Sequence, residues 1–248
     1  MRIAYIVPAA MSKGALGVAE LRRREGLLNG WAFAGTTVEV FDVPQGPASL
    51  ETSYEQALCV PPTVDLVRRC ERDGFDAAII GCFTDPGLDA AREMVEMPVV
   101  GPCESAMLLG ASLGHRFSVL TLVDGLVPGQ ELLATKAGVR GKLASTRVTG
   151  IMMQDLMKDC ERTRHRLIEV AHACVKEDRA DVLLLGCMTM SFLDVAEDIT
   201  AAVGVPTVNV ARAALKQAET VVALGLSHSK TAYPSPALSS RLSAAQAG

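Results

Sequence analysis

The sequence predicts an α/β fold of two lobes with parallel sheets, related by a pseudo-twofold. Three observations carry this. Short apolar runs alternate with amphipathic or Ala-rich stretches along the whole chain, the pattern of parallel strands joined by helices. One segment occurs twice, as Asp76-Ala77-Ala78-Ile79-Ile80-Gly81-Cys82-Phe83-Thr84 and as Asp181-Val182-Leu183-Leu184-Leu185-Gly186-Cys187-Met188-Thr189. The 248 residues are 49% hydrophobic but only 4% aromatic, so the core is aliphatic, as buried parallel strands require.

Taken in order, Arg2 to Val7 reads as a strand left through the loop Pro8-Ala9-Ala10. Ala15 to Leu28 reads as a helix with Arg22, Arg23 and Arg24 on a solvated face, and Thr37 to Phe41 as an alternating strand. Ser53 to Cys59 reads as a short helix stopped by Pro61-Pro62, and a second helix starts at Thr63 and ends near Gly74. The first Gly-Cys strand follows. Asp85 and Pro86 read as the cap and first turn of a helix reaching Val95. Val99-Val100 is a strand, Glu104 to Leu113 a helix, and Arg116 to Leu122 a strand. Leu126 to Ala137 reads as a helix closed at Gly138, Ser145 to Thr149 as a strand, and Met152 to Met157 as an apolar helical patch, either core, an oligomer contact or a flap. Arg162 to Asp178 has the clearest helical period. After the second Gly-Cys strand come a helix from Leu193 to Ala202, a strand from Thr207 to Val210 and a helix from Ala211 to Ala223. From Ser227 the chain is a polar tail that either packs over a lobe or is loose.

The composition narrows the function. A formal net charge of −4 offers no basic surface for nucleic acid. No apolar run is long enough to span a bilayer, and the N-terminal strand has too little positive charge for an export signal. The seven cysteines, an odd number without a close Cys-x-x-Cys pair, read as reduced thiols of a cytoplasmic protein. The four histidines show no Cys/His zinc spacing. The expected partner is a small molecule, not a nucleic acid or a membrane.

Ligand sites of open α/β sheets lie beyond the carboxyl ends of the strands. Both Gly-Cys units fall there, which places the active site in the cleft between lobes, Cys82 on one wall and Cys187 on the other. The lobe of Cys82 takes residues 1–107 and 211–248, and the lobe of Cys187 takes 108–210. A thiol ionises near 8.5, and local N–H groups or cations lower that value. If one sulfur is a thiolate and the other a thiol, one removes a proton from a carbon acid and the other delivers a proton to the opposite face. This inverts a stereocentre without a cofactor. Gly81 and Gly186 are expected to let the backbone turn sharply. Thr84 and Thr189 either cap helices or hold substrate. Asp85 reads as a cap, Glu104 as structural, Cys103 as a residue that either lines the cleft or is core, and Cys59, Cys70, Cys160 and Cys174 as structural.

The run Gly81-Cys82-Phe83-Thr84-Asp85-Pro86-Gly87-Leu88-Asp89-Ala90-Ala91-Arg92-Glu93, with Pro98-Val99-Val100-Gly101, Glu104, Ala106-Met107, Arg116-Phe117-Ser118-Val119, Leu185-Gly186-Cys187, Gly225-Leu226-Ser227 and Ser229-Lys230, resembles the aspartate/glutamate racemase superfamily, hydantoin racemase branch. The resemblance implies two flavodoxin-like lobes, acid/base roles for Cys82 and Cys187, no metal or organic cofactor, and a homo-oligomer. It implies substrate-binding roles for Thr84 and Thr189, and Pro8, Ala9, Phe83, Thr121 and Met188 complete the candidate substrate-binding set. The implied reaction is racemisation at the α-carbon of a hydantoin-like or allantoin-like ring. Alternatives within the superfamily are a cysteine-dependent cis–trans isomerase, a decarboxylase, or a racemase of another carbon acid. Val7-Pro8-Ala9-Ala10 lacks the asparagines usual after the first strand, and Met188 to Phe192 is bulkier than the family's small residues, so a less polar or differently shaped ring is also admitted.

Overall fold

Each half of the chain closes its own parallel sheet from four strands. The computed structural model describes residues 1–236. The first half runs β1 (Arg2–Val7), α1 (Gly17–Trp31), β2 (Thr37–Asp42), α2 (Ser53–Arg72), β3 (Ala77–Ile80), α3 (Leu88–Met94), β4 (Val99–Val100) and α4 (Pro102–Leu113). The second runs β5 (Phe117–Thr121), α5 (Val127–Lys136), β6 (Leu143–Val148), α6 (Cys160–Lys176), β7 (Val182–Leu185), α7 (Met188–Phe192), α8 (Ala196–Val203), β8 (Thr207–Val208) and α9 (Val210–Ala223). The strand orders are β2-β1-β3-β4 and β6-β5-β7-β8, the same permutation in both sheets. These are the two flavodoxin-like lobes that the sequence predicts.

The central strands β1, β3, β5 and β7 are buried on both faces, and their alternate residues serve different cores. Ile3, Tyr5, Ala77 and Ile79 face inward, as do Phe117, Val119, Val182 and Leu184 from the other sheet. All join one cluster with Cys103, Ala106 and Met107 of α4 and Val210, Ala214 and Leu215 of α9. Ala4, Ile6, Ala78 and Ile80 face outward onto Leu66, Val67 and Cys70 of α2 and Leu88 and Ala91 of α3. Leu120, Leu183 and Leu185 face Leu167, Val170 and Ala171 of α6 and Ile199 of α8. The central helices thus bind the lobes through a shared apolar layer.

Several elements differ from the sequence expectation. Pro61 and Pro62 do not stop a helix; α2 runs through them. The carbonyls they leave without a helical partner belong to Ala57 and Leu58, which lie on the exposed face of the helix, open to water. Inside, Thr63 Oγ1 donates to the Cys59 carbonyl at 2.7 Å, and Cys59, Thr63, Leu66, Val67 and Cys70 form a continuous buried stripe. The last strand ends at Val208, because Asn209 caps α9: its Oδ1 accepts from the amides of Ala211 and Arg212. The Met152 patch folds as a short 3-10 turn, Met153–Asp155. The tail packs over the first lobe: His228 Nε2 meets the Val99 backbone, and Lys230 Nζ donates to the Arg92 carbonyl at 3.0 Å. The rest of the predicted tail, 237–248, lies outside the described residues. No described helix is long and apolar enough to cross a membrane.

Candidate active site

The two sheets deliver their cysteines in the same way. β1 and β3 are in register with Ile6 beside Ile80, and Gly81 N then donates to the Ile6 carbonyl at 2.7 Å. β5 and β7 are in register with Leu120 beside Leu185, and Gly186 N donates to the Leu120 carbonyl at 2.8 Å. Each cysteine is therefore the second residue past a strand end, directly after the glycine. The glycines serve close packing, not the expected sharp turn, for neither has a positive φ. A Cβ at Gly81 would collide with the Tyr5 ring, and one at Gly186 would lie 2.7 Å from the Leu120 carbonyl oxygen.

Beyond the sulfurs the two halves diverge. Cys82 Sγ lies 3.2 Å from Thr84 Oγ1. The next helix does not start at Pro86 as expected; α3 begins at Leu88, capped by Gly87 in the left-handed region. Asp85, itself at φ 46, is a cap, but of another helix. Its carboxylate accepts from the amides of Cys103 at 3.0 Å and Glu104 at 2.9 Å, pinning the Cys82 loop to the start of α4. Glu104 pairs with the buried Arg92, which also meets Tyr233 Oη at 3.2 Å. Cys187 is the N-cap residue of α7, a helix the sequence reading missed because its five residues, all buried, are too few to show a period.

One cavity, about 650 Å³ with the solvent in its mouth, is lined by both cysteines. Pro8, Ala9, Phe83, Thr84, Met188 and Thr189 line it with them. Thr121 does not: it is buried behind the wall and accepts from Gln130 Nε2 at 2.8 Å, and Gln130 is the residue that reaches the cavity. Cys103 does not line it either; its thiol is buried against Met107 Sδ at 3.7 Å. Apolar Met11, Leu50, Leu122, Leu126 and Met153 complete the lining, with polar Ser49 and Glu51 beside Leu50 on the loop after β2. No local pattern in the sequence marks these loop residues.

Arg24 is a clearer miss. The sequence places it on a solvated face, yet it is 1% exposed and lines the cavity. It donates through Nε to Glu20 Oε1 at 2.8 Å and through Nη2 to Thr189 Oγ1 at 3.0 Å, with its guanidinium 4.8 Å from the Phe192 ring centroid. Glu20 and Arg24 stand one helical turn apart, a spacing that exposed pairs share, so it does not mark Arg24 as buried. Glu20 is shared with Arg23, and although burial opposes it, the bonds from both arginines hold its carboxyl below the usual range.

Burial pushes both thiols up. Cys82 reaches about 11, with the Thr84 hydroxyl and amide acting against burial and the Cys187 charge adding to it. At Cys187 the amides of Met190 and Thr189, the Arg24 charge and the Thr189 hydroxyl oppose burial. Under the floor lies Tyr5, wholly buried, its hydroxyl without a hydrogen-bond partner among the described residues. Burial raises its ionisation further, so the floor is neutral. The described residues contain no cluster of three His, Cys, Asp or Glu side chains fit for a metal.

Comparisons with known proteins show the family and the fold. The family model described as Asp/Glu/Hydantoin racemase matches residues 26–218. A hydantoin racemase from Pseudomonas sp. (strain NS671) is 34% identical over 93% of this chain and 89% of its own. The allantoin racemase of Pseudomonas fluorescens superposes with a TM-score of 0.88 at 29% identity, covering 96% of this chain and 97% of that one. The allantoin racemase from Klebsiella pneumoniae gives 0.87 at 27% identity, covering 95% and 94%.

Proposed function

The chain belongs to the Asp/Glu/hydantoin racemase family, and from that premise we propose that it inverts the α-carbon of a hydantoin-like or allantoin-like ring by proton transfer between Cys82 and Cys187. The observation that carries this reading is that two thiols at equivalent strand ends line one cavity. A thiolate on one wall takes the α-proton, the electrons spread onto the neighbouring carbonyl, and the thiol of the other wall protonates the opposite face. In the reverse direction the sulfurs exchange roles. Chemically alike acids suit a reaction whose two directions are mirror images.

The lining favours a neutral ring over a dicarboxylate. Val7, Leu50, Leu122, Leu126 and Met153 are apolar, and Arg24, the one guanidinium among the described lining residues, is already engaged by Glu20 and Thr189. An uncharged ring keeps its polar edges for Thr84, Thr189 and adjoining amides, which stabilise the enolate oxygen. Pro8, Ala9, Phe83 and Met188 shape the rest of the seat. Thr121 supports Gln130 from behind. We place the boundary between the walls at residues 107/108 and 210/211, with 1–107 and 211–248 holding Cys82 and 108–210 holding Cys187.

The test is solvent exchange. Single enantiomers of 5-substituted hydantoins and of allantoin, incubated with enzyme in heavy water, should lose optical rotation while the α-position gains deuterium. Intact rotation and no exchange across the panel would refute the reading. A covalent thioether at either cysteine, seen by mass spectrometry with an unsaturated diacid, would favour the cis–trans isomerase instead.

A further inference from the structure

The two halves repeat Gly-Cys-x-Thr, yet what stands behind each threonine differs. On one wall the Thr84 hydroxyl meets Cys82 Sγ, and among the described residues its hydrogen bonding brings in no cation. On the other, the Thr189 hydroxyl accepts from a buried guanidinium at 3.0 Å. Resting on the two-thiol reading above, we infer that Arg24 is a positioning residue that makes the two thiols unequal, so that the resting enzyme holds Cys187 as thiolate and Cys82 as thiol.

The charge balance supports this. A guanidinium is a permanent cation, which is why arginine suits buried charge pairing. Its carboxylate partner Glu20 is shared: Arg23 Nε lies 2.7 Å from Oε2 while Arg24 Nε lies 2.8 Å from Oε1. Two guanidinium groups thus face one carboxylate, leaving one positive charge over. Arg23 sheds its share into solvent, being partly exposed, whereas Arg24 is buried against Phe192 and opens only to the cavity. An anion beside Thr189 offsets that charge, and Cys187, two residues before, is a titratable group on the same cavity wall that the Arg24 charge reaches. Tyr5 of β1 lies beneath the floor and stays neutral, while Glu51 from the loop after β2 and Cys82 opposite face the same space. None of these supplies a cation to Cys82. The direction of the thiol shifts agrees, since Arg24 opposes burial at Cys187 and has no counterpart at Cys82, which burial carries to about 11.

The proton count is simple. Cys187 thiolate accepts the α-proton of the enantiomer whose C–H faces its wall, and Cys82 gives its S–H proton to the opposite face. One C–H bond breaks, one forms, and the enzyme is left with Cys187 thiol and Cys82 thiolate. Solvent then returns a proton to Cys82 and takes one from Cys187, which restores the resting form. The opposite enantiomer must start from this second, minor form.

The experiment reads the thiols directly. Iodoacetamide is added across a pH series, and alkylation at each cysteine is followed by peptide mass spectrometry. The proteins are wild type, Arg24→Met, Arg24→Lys and Thr189→Val, each checked for fold by circular dichroism. In wild type the rate at Cys187 should rise at a lower pH than the rate at Cys82. Arg24→Met should raise the Cys187 midpoint by about one pH unit, leaving Cys82 in place, and Arg24→Lys should restore most of the difference. Thr189→Val keeps Arg24 but removes the hydroxyl it holds, and should move Cys187 in the same direction by less. It decides the matter if Arg24→Met does not fold. Cys82 ionising first overturns the inference. So does a Cys187 midpoint that stays in place in the folded variants. Alkylation needs no turnover, so this order of ionisation in a protein that racemises none of the rings would sink the proposed substrate and leave the role of Arg24 standing.

Discussion

A buried thiol is a poor base until something stabilises its anion, and the rate of the proposed reaction follows from that. One sulfur must be ionised and the other protonated. Burial raises Cys187 above the ordinary thiol value, so the active fraction grows with pH from neutrality, about tenfold per unit below the lower midpoint. It falls again as Cys82 ionises near about 11. The profile of kcat/KM, corrected for the uncatalysed reaction, should therefore climb through the alkaline range and turn down at its end; a profile flat from pH 6 upward would contradict it. The strand-end glycines make a second prediction. Gly186→Ala would put a Cβ 2.6 Å from Val119 Cγ1 and 2.7 Å from the Leu120 carbonyl oxygen. Backbone cannot yield as a flexible side chain can, so the variant should lose about 1–3 kcal/mol in urea denaturation. Its activity should fall with it, because the strand end carries Cys187. Unchanged stability would show that the packing there is looser than these distances indicate.

Among the elements, the Cys82 loop depends on a cap it supplies to a distant helix. Asp85 satisfies two amides at the start of α4, and Asp85→Ala should cost about 1–2 kcal/mol. Burial, against the two amides, pushes the Asp85 carboxyl up to about 7. A carboxyl whose folded value lies above its unfolded one binds more protons when folded. Its stabilising share is full below about pH 4 and is lost as pH rises through about 7. Asp85→Ala should remove that part of the pH dependence of stability, and a variant with the wild-type dependence would contradict the assignment. Asp85 also shows where sequence reading stops. Its capping role is legible in its residue type, but the helix it caps is set by tertiary contact. The same limit hid Arg24, because the pattern around Glu20 and Arg24 is that of any exposed helical pair. The prolines of α2 misled for a related reason: a helix tolerates them where the orphaned carbonyls face water, and exposure is not written in the local sequence. By contrast the strands, the Gly-Cys ends and the long helix α6 were legible, because apolar runs and periodicity carry their own burial pattern.

Across the whole molecule, α4 and α9 fill one core between the sheets, and the cleft lies at the carboxyl ends of both. The walls are therefore fixed relative to each other by packing, which two-sided proton transfer needs. The tail reinforces the first wall: His228 meets Val99, Lys230 meets Arg92, and Tyr233 meets the buried Arg92 guanidinium. A chain ending at residue 226 should melt several degrees lower, since each kcal/mol lost shifts the midpoint by about 2–4 °C at this size. An unchanged midpoint would mean that the tail adds nothing to the wall.

The central claim is that Cys82 and Cys187 act on opposite faces of one carbon. The most direct measurement takes Cys82→Ala and Cys187→Ala, folded by circular dichroism, and follows α-deuterium gain and optical rotation for each separate enantiomer of a substrate hydantoin in heavy water. Neither variant should racemise. Each should exchange only the enantiomer whose proton faces the remaining thiol, with retention, and the two variants should choose opposite enantiomers. Racemisation surviving in both variants, or exchange of the same enantiomer by both, would contradict the account.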